Sequence, residues 1–468
     1  MGSDSKMKNK PMITFLKGSI RITGLLRNDA FESNYPFCLW DEKKCAYFAE
    51  ALHYRELITF LHNVDASSVD AARNYEKLSL TLGKRIALRP HQKTAFDKWH
   101  ESGGRGVVSL PTGAGKTILA VQCIELISRP TLVVVPTLDL LRQWVEVLNE
   151  FLNVEVGMLG GGERNVQLIS VATYDTAALM IESLGDKFGF LIFDECHHLP
   201  SPQYSWIAKS GIAPFRLGLS ATVERPDGKE EIIYQLLGPK VCDVGISEMT
   251  DNILSPYDVV TYEVPLSDNE HLQYQDSRKV YLGFLRKNRI SLSGKGGWAH
   301  FLKSASYLPG GKEAIRAYRL QKKIAEGSEA KLGKLWSILC ELADERIIVF
   351  TNDNELAYRI GSRFILPVLT HRTKASERKR FLEMFRSGEL KVLVTSKVLN
   401  EGVDVPEASV AVVVSGSSTT REHVQRLGRV LRHKPGKRAV LYELISRETA
   451  EKFVSERRNQ HDAYQGTS

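Results

Sequence analysis

Two stretches of the chain share one rhythm, in which short continuous apolar runs rich in β-branched residues are separated by longer segments with helical spacing. The first begins at residue 85 and holds GVVSL (106–110), TLVVVP (131–136), VQLISVAT (166–173), FGFLIFDE (188–195) and RLGLSAT (216–222). The second holds RIIVFT (346–351), KVLVTS (391–396), VAVVVSG (410–416) and AVLYELI (439–445). A strand that is apolar along its whole length is one buried on both faces. Helical patterns such as ILAVQCIELIS, LDLLRQWVEVLNEFL and SERKRFLEMFRSG fall between these runs, and the alternation predicts parallel sheets covered by helices, an α/β fold. A chain of 468 residues is also too long for one core. The expected division is a small mixed region over residues 1–84, one α/β unit over 85–245 and a second over 246–468. The break is placed in GPKVCDVGISEM (238–249). In the mixed region SIRITGLL and CAYFAEAL read as short strands or as a strand and a helix, and YRELITFLHNV has helical spacing. No chemistry is legible there.

Composition removes several classes. No run of about 18 apolar residues occurs, so a membrane-spanning helix is not expected. The N-terminus MGSDSKMKNKPMITF is polar and has no apolar signal core, so export is not indicated. Six cysteines (Cys38, Cys45, Cys123, Cys196, Cys242 and Cys340) are scattered without a CxxC pair, which suits reduced intracellular thiols better than a disulfide framework or a zinc module. The net charge of +8 favours polyanionic partners. Much of it lies between Arg278 and Lys323, where about a dozen Lys and Arg face a single acid, Glu313. Tyr281, Phe284, Trp298, Phe301, Tyr307 and Tyr318 are interleaved with them. Such a segment can neutralise phosphates and stack on bases; it can also be a solvated basic hairpin with aromatics packed beneath it.

VVSLPTGAGKTILAV reads as a strand, a glycine loop and a helix start. Gly113 and Gly115, with Thr112 and Ala114 between and beside them, would let backbone N–H groups close round a phosphate at a helix N-terminus. Lys116 would reach the β- and γ-phosphates, and the Thr117 hydroxyl would hold Mg²⁺. The strict GxxxxGK[ST] pattern asks for glycine where Leu110 stands, so the match rests on Gly115, Lys116 and Thr117.

DECHH (194–198) closes a neighbouring apolar run. In a phosphate-loop enzyme the acid at that place holds Mg²⁺, which suits Asp194, and the next acid, Glu195, takes a proton from the attacking water. Cys196, His197 and His198 are consecutive and cannot converge on one zinc ion without severe backbone distortion. Cys196 as a nucleophile would need a distant histidine base. In the second half REHVQRLGRVLRHKPGK puts Gln425, Arg429 and Arg432 on one helix face. Arginines presented to a γ-phosphate stabilise the charge that develops in phosphoryl transfer.

Taken together these segments resemble superfamily 2 helicases, from about residue 85 to near the C-terminus. LRPHQ (88–92) is similar to the adenine-recognising segment, with Gln92 on the base and Arg89 beside it. LPTGAGKT, VVVPTLDLLRQW, DECHH and LSAT resemble motifs I, Ia, II and III; VFTNDNELA, VTSKVLNEGVDVPEA and QRLGRVLR resemble motifs IV, V and VI. Within the superfamily the resemblance is to the XPB family of repair and transcription helicases. It rests on QRLGRVLR followed by HKPGK, the DExHH form of motif II, SATVERPDGK, and a basic insertion (about 278–325) that looks like the family's thumb. Where that family carries Arg-Glu-Asp, this chain has Arg225, Pro226 and Asp227, so the middle acid is missing. The short N-terminal region is similar to the family's damage-recognition domain and lacks the long eukaryotic extensions, as in an archaeal or bacterial member.

The resemblance implies two RecA-like parallel-sheet motor domains with ATP and Mg²⁺ held between them, Gly402 and Asp404 of motif V adding to the nucleotide contacts. It implies 3'-to-5' movement on forked, bubble or damaged DNA, in nucleotide excision repair and at promoters, alongside a partner nuclease or repair complex. It implies no membrane association and an intracellular, cytoplasmic or nucleoid location. Thr137, Arg142, Thr395, Arg225 and Asp227 would contact DNA, as would Arg278, Lys279, Arg286 and Lys287 of the thumb. His197 would relay nucleotide state toward motif III or Gln425. Two alternatives are the motor subunit of a restriction-type translocase and a damage-binding scaffold that ATP merely clamps.

Overall fold

The computed structural model describes residues 10–111, 113–221, 223, 228–244, 257–292, 296–396, 408–415 and 439–451. The chain forms two compact units, one built on residues up to Asp243 and the other on residues from Val244. No helix among the described residues is long and apolar enough to cross a membrane.

The first unit begins with a five-stranded sheet in the order Leu39–Asp41, Ala46–Glu50, Ser19–Thr23, Met12–Leu16, Val69–Ala71. Its pairings are antiparallel except the last, where Met12–Leu16 runs parallel to Val69–Ala71. The helix Tyr54–Val64 covers one face through Tyr54, Leu57 and Leu61. This small core continues into the motor sheet's own surroundings: Ile212 packs within it, and Arg55 donates to the Gly103 carbonyl at 3.0 Å. The N-terminal sheet is thereby part of the same packed body as the first motor sheet.

That motor sheet has eight strands in the order Lys240–Asp243, Arg105–Ser109, Phe215–Ser220, Phe190–Asp194, Thr131–Val135, Ile169–Thr173, Val156–Gly160, Glu163–Arg164. All neighbours are parallel except the terminal pair. The central strands Thr131–Val135, Ile169–Thr173 and Phe190–Asp194 are buried at every position, as continuous β-branched runs require. Val156–Gly160 and Lys240–Asp243 carry no such run and are not legible as strands; hydrogen bonding to an already formed sheet makes them so.

Arg216, on the strand Phe215–Ser220 of this sheet, is fully buried, and its guanidinium donates to the carbonyls of Ala208, Gly211, Ala213 and Leu236 at 2.8–3.2 Å. Ala208 and Leu236 belong to the last turns of the helices Pro202–Ser210 and Glu230–Leu237, where carbonyls lack intrahelical partners and the dipole favours a cation. Burial holds this guanidinium well below its ordinary pKa.

The second unit carries a six-stranded, all-parallel sheet in the order Tyr257–Val264, Ala439–Ser446, Val410–Val413, Ile347–Phe350, Val392–Thr395, Val368–Leu369. Between its first strand and Ile347–Phe350 stand four helices. The first three, Asp268–Lys287, Gly297–Tyr307 and Gly311–Glu326, pack together, and the fourth, Glu329–Glu341, packs on the sheet. Tyr281, Phe284, Phe301, Leu285 and Ala314 form the common core of the first three. Here the reading of the basic segment needs correction: Tyr281, Phe284 and Phe301 hold the helices together and have no face to offer a base. Trp298 and Tyr307 remain 43% and 65% exposed. Lys279, Arg286 and Lys287 are exposed on the first helix, and Arg278 is half-buried against the Tyr274 hydroxyl.

Candidate active site

The strand Arg105–Ser109 leads through Leu110 to the phosphate loop and then into the helix Lys116–Ile127. Leu110, standing where the motif asks for glycine, is fully buried and extends the sheet by donating its N–H to Ser220 O at 2.9 Å. Gly113 and Gly115 adopt φ of 87° and 82°, a region that L side chains rarely enter. A Cβ on Gly115 would lie 2.2 Å from the Gln92 amide, so this position excludes side chains twice over. Lys116 starts the helix and Thr117 follows it, half-buried.

Gln92 departs from its expected role on the base. It is buried, its Nε2 donates to the carbonyls of Ala114 and Gly115 at 3.0 and 3.1 Å, and its Oε1 accepts the Arg89 N–H at 2.8 Å. The amide is spent on the loop itself. His91 Nε2 adds a contact of 2.9 Å to Ala114 O. Residues 89–92 thus brace the back of the phosphate loop, and the exposed Arg89 side chain is what this segment presents to solvent.

Lys116 Nζ lies 3.1 Å from Glu195 Oε1, with both side chains almost wholly buried. Glu195 is a non-glycine residue with φ of 49°. That costly backbone turn, at the junction of Phe190–Asp194 and the short helix Cys196–His198, aims the carboxylate back at Lys116. Glu195 Oε2 meets His197 Nδ1 at 3.3 Å, and the same nitrogen lies 3.2 Å from Ser220 Oγ. Burial alone would raise the Glu195 pKa; the Lys116 ammonium and the His197 ring outweigh it and hold the carboxyl well below the usual range. Glu195 is therefore ionised, and while Lys116 holds it the carboxylate is a weak proton acceptor.

Asp194 is 5% exposed. Its Oδ1 accepts the Glu195 N–H at 3.0 Å, its Oδ2 accepts the Trp144 indole N–H at 2.9 Å, and its carbonyl accepts the Tyr174 hydroxyl at 3.0 Å. Burial pushes this carboxyl up, against the pull of Lys116. The oxygen donors of Asp194 and Thr117 are of the hard type that Mg²⁺ accepts. Sequence reasoning missed Trp144 and Tyr174: each sits where helical spacing already accounts for it as core, and a polar tip leaves no mark on that pattern.

Cys196 is fully buried among core side chains, and burial raises its thiol pKa. That is the setting of a packing residue, not of a thiolate nucleophile. The His198 ring lies tilted beside those of Tyr174 and His197, with centroids 5.7 and 4.4 Å away.

Among the residues expected on DNA, Thr137 caps the helix Leu138–Phe151, accepting the Leu140 N–H at 3.3 Å. Arg142 is exposed on that helix beside Asp139. Thr395 does not fit its expected role: it is completely buried at the end of its strand, and its hydroxyl donates to Ser396 O. Thr112, Arg225, Asp227, Gly402, Asp404, Gln425, Arg429 and Arg432 lie outside the described residues.

Comparison with known proteins identifies the family. Residues 13–72 match the Xeroderma pigmentosum group B helicase damage recognition domain, residues 338–468 the ERCC3/RAD25/XPB C-terminal helicase, and residues 85–225 the type III restriction enzyme res subunit. The chain is 39% identical to the DNA 3'-5' translocase XPB2 of Sulfurisphaera tokodaii over 93% of its own length and 98% of that protein's. It is 31% identical to the DNA 3'-5' helicase XPB of Kineococcus radiotolerans over 81% of its length, spanning 63% of that longer relative. In fold it is similar to the Hef helicase domain of Pyrococcus furiosus, with a TM-score of 0.50 and 19% identity over 80% of this chain and 98% of that one. With a relative matched almost end to end and family-specific models at both ends, the chain belongs to the XPB family of DNA helicases and translocases.

Proposed function

We propose that this chain is an ATP-driven 3'-to-5' DNA motor that opens forked, bubble or damaged duplexes in nucleotide excision repair and at promoters, alongside a nuclease or repair complex. The observation that carries the reading is the continuous buried chain Lys116, Glu195, His197, Ser220, which joins the phosphate loop, the acidic pair and the strand of motif III. A basic group for phosphates, an ionised acid for water and a link outward from that acid are what a motor needs in one place.

In this reading the phosphate oxygens compete with Glu195 for the Lys116 ammonium. Released from that ion pair, Glu195 takes the proton of the attacking water. Asp194 and Thr117 would hold Mg²⁺, and the ion would supply charge neutralisation for the phosphates. His197 keeps contact with Ser220, so a change in the Glu195 carboxylate is felt at the end of the motif III strand. Arg429, Arg432, Gly402 and Asp404, which the family resemblance assigns to the same nucleotide, lie outside the described residues. Thr137 and Arg142, at the head of one helix, and the exposed Lys279, Arg286 and Lys287 hold the DNA backbone.

The test is an unwinding assay on forked duplexes with single-stranded tails of either polarity, run beside ATP turnover with and without DNA. Unwinding that depends on a 3' tail, together with DNA-stimulated turnover, is the expected outcome. Turnover that ignores DNA would overturn the motor reading, and stimulated turnover without strand separation would restrict it to translocation.

A further inference from the structure

The hydrogen bond from Trp144 to Asp194 spans two parts of the proposed motor. Trp144 is 1% exposed on the helix Leu138–Phe151, and its indole N–H meets Asp194 Oδ2 at 2.9 Å. The other oxygen of that carboxylate is fixed by the Glu195 N–H at 3.0 Å, and the residue's carbonyl by Tyr174 at 3.0 Å. Both side-chain oxygens are therefore held, and the rotation of the carboxylate is set partly from a different element. An indole is well suited to this: it has one donor, no acceptor, two torsions and a large buried ring that fixes the donor's direction. The helix that carries it begins at the N-cap Thr137 and bears Arg142, two of the residues assigned to DNA. Trp144 follows Thr137 by about two turns of a rigid helix, roughly 10 Å along its axis.

We propose that Trp144 is a positioning residue that ties this DNA-contacting helix to the metal-holding carboxylate, so that DNA bound at the helix start tunes how firmly Asp194 is set for Mg²⁺. The inference rests on the reading of Asp194 as a Mg²⁺ ligand. An outer hydrogen bond to a metal ligand is worth about 10- to 100-fold in metal affinity. A tryptophan buried only for packing would leave metal affinity alone once an isosteric ring replaced it.

The experiment measures ADP binding to the full chain by calorimetry while Mg²⁺ is titrated, with and without saturating single-stranded DNA. It compares wild type, Trp144→Phe and Asp194→Asn. The expected result for Trp144→Phe is ADP affinity in EDTA equal to wild type, a Mg²⁺ midpoint raised about tenfold or more, and loss of the shift that DNA causes in that midpoint. Asp194→Asn should lose the Mg²⁺ enhancement altogether. If Asp194→Asn keeps the enhancement, the metal reading itself fails. If Asp194→Asn loses it while Trp144→Phe titrates like wild type with and without DNA, the positioning role is overturned. Should Trp144→Phe not fold, site-specific replacement of Trp144 by benzothienylalanine preserves the ring's shape and removes only the N–H, with the same two outcomes.

Discussion

His197 Nδ1 stands 3.2 Å from Ser220 Oγ while also touching Glu195 Oε2 at 3.3 Å. One buried nitrogen thus joins the acid assigned to water with the strand end assigned to motif III. Ser220→Ala removes the outward half of this link without touching the acid. We expect ATP turnover to stay within about threefold of wild type while base pairs opened per ATP fall about tenfold, the loss of a buried hydrogen bond being worth roughly one factor of ten. Parallel turnover and unwinding assays check this; equal losses in both would assign Ser220 to the chemistry instead.

Lys116→Ala and Glu195→Gln strike the same ion pair from opposite sides. Each should lower ATP turnover by at least about 10³-fold, in line with the loss of a principal phosphoryl-transfer group. DNA affinity, measured by fluorescence anisotropy, should change by less than about threefold, since neither side chain is assigned to DNA. Substantial turnover in either variant would sink the assignment.

Reversing the charges of Lys279, Arg286 and Lys287 should weaken DNA binding and flatten the dependence of log Kd on log salt by about 0.7 to 0.9 for each phosphate that is no longer neutralised. Trp298→Ala with Tyr307→Ala should weaken single-stranded binding without altering that slope, since stacking is not an ion-exchange process. Phe301→Ala, deep in the helical core, should instead unfold the three-helix element. An unchanged salt slope after charge reversal would return this face to simple solvation.

Glu326 gives a pH-dependent stability. Burial raises its carboxyl from the ordinary 4.5 to about 7, against the nearby Lys322 and Lys331 ammoniums and the Asn352 hydrogen bond, and with Glu451 adding to the rise. A raised acid pKa means that the folded state keeps a proton the unfolded state has lost. Stability is therefore fully present below about pH 4.5, declines as pH rises, and levels off above about 7, a span of roughly 3 kcal/mol. Hydrogen-exchange protection factors in the helix Gly311–Glu326, taken relative to the intrinsic rate at each pH, should fall over that window. Glu326→Gln should remove the slope and protect the helix above pH 7.

Arg216→Met should destabilise the first unit by about 3–5 kcal/mol, because four buried carbonyls lose their donor together. Urea unfolding followed by tryptophan fluorescence reports it directly through Trp99, whose indole N–H donates to Arg216 O. An unchanged midpoint would show that water replaces the guanidinium at no cost.

The parallel sheets, the phosphate loop and the acidic pair could be anticipated because each has a local signature. Continuous β-branched runs admit only doubly covered strands, and the Gly115 torsion admits little but glycine. Lys116 and Glu195 are assigned by chemistry to phosphate and to water, whereas their direct ion pair is visible only in the fold. Other features depend on what the chain meets after folding. Val156–Gly160 becomes a strand only because Ile169–Thr173 offers it an edge. Gln92 turns to the loop and Thr395 turns inward because unpaired polar groups are costly in a packed interior. Tyr281 and Phe301 read as candidates for stacking on bases, yet the three helices of that segment need a core of their own and took them. Trp144 shows the limit most clearly: its ring follows from helical periodicity, but the direction of its single N–H was decided by which carboxylate the parallel sheet placed beside it.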